Sequence, residues 1–141
     1  MKIPDVTCKI EAYAAVKPSE DPEKVRLAVS HVLLDANYKY EDGSIKATSK
    51  DLQSLAKIYD TIRSRKVIRT YRRQMRYHTH GETTWFYLNK QAAYVDVIAI
   101  CDEAEESPLG PIKIILHSTE IQKVIDWLAP EFAEQKIHYG P

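Results

Sequence analysis

"ETTWFYLNKQAAYVDVIAIC", from Glu82 to Cys101, holds two β-like runs in succession. In the first, Thr84, Phe86 and Leu88 alternate with Trp85 and Tyr87, the period of a strand with one buried face. The second, "YVDVIAIC", is apolar and rich in β-branched residues. Asn89, Lys90 and Gln91 fall at or near the turn between them. "IKIILH", residues 112–117, predicts a further strand soon afterwards. Strands that arrive one after another late in a chain favour a largely antiparallel sheet over an alternating parallel one.

The flanking sequence supplies the rest of the layers. "CKIEAYAAV", from Cys8 to Val16, predicts a half-buried strand with Cys8, Ile10, Ala12, Ala14 and Val16 on one side. Asp21 is placed as an N-cap, with Pro22 at the first helical position. Val25, Ala28, Val29, Val32 and Leu33 then make one apolar helix face. Asp42-Gly43 between two β-prone runs is a hairpin signal, consistent with a ribbon or with one strand and a loop. Ser49 or Lys50 opens a second helix, buried through Leu52, Leu55, Ala56, Tyr59 and Ile62. "STEIQKVIDWLAP" predicts the final helix. Thr119 to Gln122 fits a capping box there, and Pro130 stops the helix. The expected order is strand, helix, hairpin or strand, two helices, three strands, helix. That is an α+β single domain over residues 1–141, with a largely antiparallel sheet and helices packed on one side.

Length and composition narrow the function classes. A chain of 141 residues buries enough surface for one independent core. No apolar run approaches bilayer length, and "MKIPDVTCKI" has no signal-peptide apolar region. Cys8 and Cys101 match no metal-ligand spacing and read as buried thiols in a reducing cytoplasm. The expected location is therefore cytoplasmic, with no membrane partner.

The chain has 20 basic and 20 acidic residues, yet "RSRKVIRTYRRQMRYHTHG", Arg63 to Gly81, holds seven Arg or Lys and no acid. At about 100° per residue, Val67, Ile68, Tyr71 and Met75 share one arc. Arg65, Arg69, Arg72 and Arg76 share another, widened by Lys66 and Arg73. The apolar arc is out of phase with the Leu52–Ile62 face, so a break is expected near Arg63–Lys66, with a third helix after it. Like charges at this spacing repel by a few tenths of a kcal/mol per pair. A polyanion would offset that cost, because the guanidinium fork matches phosphate oxygens. An acidic protein surface, or solvent, are the other partners such a face takes. Tyr71 lies on the apolar arc and reads as core; Tyr77 is open to either role.

"LNKQAA", "SPLGPI" and "WLAP", with "VKPSEDPEKV" near the start, resemble an archaeal family designated uncharacterised protein family 0201. The resemblance covers about residues 8–130. The family is described as predicted RNA-binding proteins, sometimes as predicted exosome subunits, and is similar in fold to the ribosomal protein that binds 5S rRNA. The resemblance implies a non-catalytic module that contacts structured RNA through its backbone and shape.

Arg65, Lys66, Arg69, Arg72, Arg73 and Arg76 are the expected RNA-binding residues, with Lys90 and Asn89 supporting. Asn89 and Lys90 equally fit a turn in which Asn adopts a left-handed conformation. His78 and His80 suit a solvated pair beside the arginines better than a metal site, since no third ligand is near. Asp102 to Glu106 read as a solvated loop rather than a cation site. No nucleophile elbow, phosphate loop, zinc-protease motif or dinucleotide fingerprint is present, so neither catalysis nor a cofactor is expected. The alternative is an assembly module, as a homodimer or a subunit of a larger RNA-processing complex. There the basic helix would meet an acidic protein surface, and Trp85 and Tyr87 would anchor the interface.

Overall fold

Among the described residues six strands form one sheet with antiparallel pairings, in the spatial order β2 (Asn37–Glu41), β3 (Ser44–Ser49), β1 (Lys9–Ala15), β6 (Ile112–His117), β4 (Thr83–Leu88), β5 (Ile100–Cys101). This is a computed structural model and describes residues 1–131. The elements are β1 (Lys9–Ala15), α1 (Pro22–Val32), β2 (Asn37–Glu41), β3 (Ser44–Ser49), α2 (Ala56–Ser64), α3 (Ile68–Tyr77), β4 (Thr83–Leu88), α4 (Lys90–Tyr94), β5 (Ile100–Cys101), β6 (Ile112–His117) and α5 (Ile121–Leu128).

Strand periodicity places the core. Ile10, Ala12, Ala14, Ile45, Ala47, Phe86, Leu88, Ile112, Ile114 and Leu116 are buried on one face. Against them pack Val25, Val29, Ile58, Ile62, Tyr71, Met75, Val124, Ile125 and Leu128 from four helices. Both cysteines are buried free thiols, and burial pushes each up to about 11. Among the described residues no helix is long and apolar enough to cross a membrane.

Local rules explain most of the boundaries. Asp21 accepts from the Glu23 N–H and Pro22 opens α1, as the sequence predicts. Asp42 and Gly43 sit at φ 53° and 73°, the left-handed pair of a type I′ turn, so the hairpin is a true ribbon. The second helix starts later than expected. Asp51 caps a 3-10 turn, Leu52–Leu55, that runs into α2. The expected break after α2 is a reverse turn with Lys66 at φ 55°. The Val67 N–H reaches back to the Ile62 carbonyl at 3.1 Å, closing a Schellman motif.

Two expectations fail. "YVDVIAIC" is not a full strand. The Asn89 side chain accepts from the Ala92 N–H at 2.9 Å and starts α4. Asp96, not Asn89, adopts the left-handed conformation, at φ 62°, and only Ile100–Cys101 pairs with β4. Nor does Thr119–Gln122 form a capping box. Glu120 holds the N-cap position without a side-chain bond, and Ser118 Oγ accepts from its N–H at 3.0 Å.

Candidate nucleic-acid interface

α3 carries four arginines and no acid, and its register sorts them. Tyr71 and Met75 point into the core, with Tyr71 edge-on to Phe86. Arg69, Arg73 and Arg76, spaced i, i+4, i+7, are exposed on the opposite side. Arg65 and Lys66 are exposed in the turn before the helix. Arg72 lies between these sectors and faces α5. Its guanidinium donates to Asp126 at 2.8 Å and to the Ala129 carbonyl at 3.0 Å, and lies 3.5 Å from Glu131. Arg63 does similar work: it donates to the Trp127 and Leu128 carbonyls at 3.0 and 3.2 Å and covers the Tyr59 ring.

Two of the seven cations thus hold the C-terminus of α5, where carbonyls lacking helical partners and the helix dipole favour positive charge. Arg72 leaves the set of ligand-facing residues for this reason. Arg72→Met is expected to cost about 1–2 kcal/mol, because a mostly buried charge-assisted bond is lost to a half-exposed partner. Urea unfolding measures it, and a variant as stable as the parent would remove the clamp.

Lys90 is also not ligand-facing. Lys90 is fully buried. Its Nζ donates to the Ala15 carbonyl at 2.8 Å, the Leu109 carbonyl at 2.5 Å and the Glu20 carboxylate at 2.9 Å. Its backbone N–H donates to Ser107 Oγ at 3.1 Å, and Ser107 Oγ in turn donates to the Gly110 carbonyl at 2.7 Å. "LNKQAA" and "SPLGPI" therefore clasp one another around a buried ammonium. The side-chain oxygen of Asn89 is committed to its cap.

The face of the sheet opposite the core carries Glu11, Tyr13, Lys46, Trp85, Tyr87, Lys113, Ile115 and His117. Across it, Lys46 meets Glu11 at 3.0 Å, Glu11 meets His117 Nε2 at 2.8 Å, and His117 Nδ1 meets Thr83 Oγ1 at 2.9 Å. This chain ties β3, β1, β6 and β4. Burial pushes the Glu11 carboxyl up, but the bonds from Lys46 and His117 outweigh it and hold the group below its ordinary value.

At β4 the open face meets the C-terminal end of α3. His78 stacks on Trp85 with ring centres 3.4 Å apart, and its Nδ1 lies 3.0 Å from the Trp85 carbonyl oxygen. Burial holds the His78 imidazole below its usual pKa, so it is mostly neutral at pH 7. Lys113 lies over the Trp85 ring at 4.4 Å. Arg73, Tyr77, His78, Trp85 and Tyr87 line a cleft of about 520 Å³ together with Asp102 to Glu105. The cleft was not foreseen. Its one signal in the sequence is that Trp85 and Tyr87 occupy the strand positions opposite Phe86 and Leu88. Asp102 accepts from Gln74 Nε2 at 2.9 Å and lies 3.9 Å from Arg73, so the acidic loop meets the basic helix within one chain. Among the described residues no cluster of three or more His, Cys, Asp or Glu could hold a metal ion.

Known proteins place the chain. A family model described as RNA binding matches residues 9–118. A UPF0201 protein of Metallosphaera sedula is 36% identical over 125 residues, covering 86% of this chain and 87% of its own length. One from Methanothermobacter thermautotrophicus is 36% identical over 123 residues, covering 87% and 92%. The crystal structure of a UPF0201 protein from Methanococcus jannaschii superposes with a TM-score of 0.74 at 27% identity, covering 87% of this chain and 93% of that one. The resemblance carried by the "LNKQAA", "SPLGPI" and "WLAP" motifs is thereby borne out, and the chain belongs to the UPF0201 family, whose matching model is described as RNA binding.

Proposed function

We propose that this protein binds structured RNA through its phosphate backbone, without chemistry of its own, using Arg65, Lys66, Arg69, Arg73 and Arg76. The observation that carries the reading is the sorting of the basic stretch. Arg63 and Arg72 turn inward to α5, while the other five cations are exposed on the α2–α3 turn and the outer side of α3. The RNA-binding description of the family model supports the same ligand class. Guanidinium groups one helical turn apart suit successive phosphates, and phosphate contacts fix position rather than sequence.

If about four phosphates are engaged, log K for a tRNA-like or 5S-like RNA falls with log salt at a slope of about −3 to −4. A slope near zero, or no binding at low salt, overturns the reading. The same titration checks that the RNA is recovered at full length.

Lys66 gives an independent test. A residue with a Cβ pays for the left-handed conformation that glycine adopts freely. Lys66→Gly is therefore expected to raise stability by about 0.5–1 kcal/mol while lowering RNA affinity. Opposite signs in melting and binding are the signature; if both fall, Lys66 serves the fold.

A further inference from the structure

The α3–β4 cleft is poorly suited to a bare phosphate. Asp102, Glu103 and Glu105 line it and oppose a polyanion, yet Tyr77 and Arg73, the latter 3.9 Å from Asp102, line it too. That mixture of a cation, an exposed ring and carboxylates matches a ligand that carries an anion, a flat ring and N–H donors. A nucleotide has this form. The cleft volume, about 520 Å³, lies within the range of small-ligand sites.

We infer that the cleft takes one unpaired base of the bound RNA, with guanine preferred. This rests on the RNA-binding reading above and adds a base-specific contact to it. Trp85 is not the stacking surface, because His78 covers the ring and Lys113 lies over it. These neighbours hold the Trp85 ring as a fixed wall. Tyr77 is 82% exposed at the cleft mouth, an unusual placement for a large ring, and offers a free face. Tyr87, half-buried, also lines the cleft. The carboxylates select the base. Guanine presents two adjacent donors, N1–H and the N2 amino group, which a carboxylate accepts as a pair. Cytosine and adenine present one amino group and uracil one imino N–H. Arg73, beside Asp102, lies where the nucleotide's own phosphate can reach it.

The test uses nine-residue uridine oligomers with U, A, C or G at the centre, at constant salt. The guanosine oligomer is expected to bind about tenfold more tightly than the all-uridine one. Tyr77→Ala should remove most of that preference with melting unchanged. Glu103→Gln with Glu105→Gln should abolish the preference while strengthening binding of the all-uridine oligomer, since two negative charges are gone. Equal affinity for all four oligomers, with a steep salt slope intact, overturns the base site and leaves backbone binding standing. No binding of any RNA overturns both. A preference that survives the double substitution overturns the carboxylate edge.

Discussion

Lys90→Met lowers the melting temperature by about 10–20 °C. The side chain is fully buried, and its ammonium is the shared donor for β1, the segment before α1 and the loop before β6. Removing it leaves the Glu20 carboxylate, whose side chain is 4% exposed, without its counter-charge. It also leaves the Ala15 and Leu109 carbonyls short of a donor. Breaking one partner of such a pair costs about 3–5 kcal/mol. Adding Glu20→Gln should recover part of the loss, because the charge goes but the two carbonyls stay unpaired. The pH dependence has a definite sign. Burial pushes Glu20 up, yet the Lys17 N–H, Lys90 and Tyr94 outweigh burial and hold it below its ordinary 4.5. That stability is complete above about pH 4.5 and is lost as pH falls through the folded value. In Lys90→Met the carboxyl keeps only the Lys17 and Tyr94 bonds and is held down less, so the gap between variant and parent narrows on acidification. A variant that melts within about 3 °C of the parent would show that the clasp contributes little.

Lys90 also marks where sequence reasoning stops. Periodicity of two located β1, β4 and β6, since each strand has one dry face and the alternation is local. Periodicity of 3.6 located α1, α3 and α5. The segment after β4 defeated both rules. Val95, Val97, Ile98 and Ile100 have strand composition, yet Val95 is 73% exposed. What shapes the segment is the Asn89 cap together with an ammonium that must reach acceptors 75 and 19 residues away, and no local pattern reports such partners. The arginines divide in the same way. Helical spacing gave their directions around α3, and the phase break before α3 was legible from the two apolar seams. Which direction faces α5 was not, so Arg72 looked equivalent to Arg69 and Arg76. The cleft depends on the Asp102–Glu105 loop folding beside α3, a contact between distant segments.

Arg73→Glu with Arg76→Glu weakens RNA binding on the order of 100-fold at low salt and flattens the salt slope by about two. Both side chains are exposed, and the one described carboxylate beside them, Asp102, stands 3.9 Å from Arg73 with both groups more than half exposed. Ion pairs of that kind contribute about 0–1 kcal/mol, so melting should move by only a few degrees. Arg72 supplies the contrast. It lies on the same helix and carries the same charge, but reversal there sets a carboxylate against Asp126 and beside the Ala129 carbonyl. Arg72→Glu should therefore lower melting far more than the double reversal does, and any loss of binding should follow the unfolded fraction. If the double reversal melts the protein, the outer side of α3 serves the fold. If it leaves both melting and RNA affinity intact, the phosphates are met elsewhere, and the open sheet face with Lys46 and Lys113 becomes the next surface to reverse.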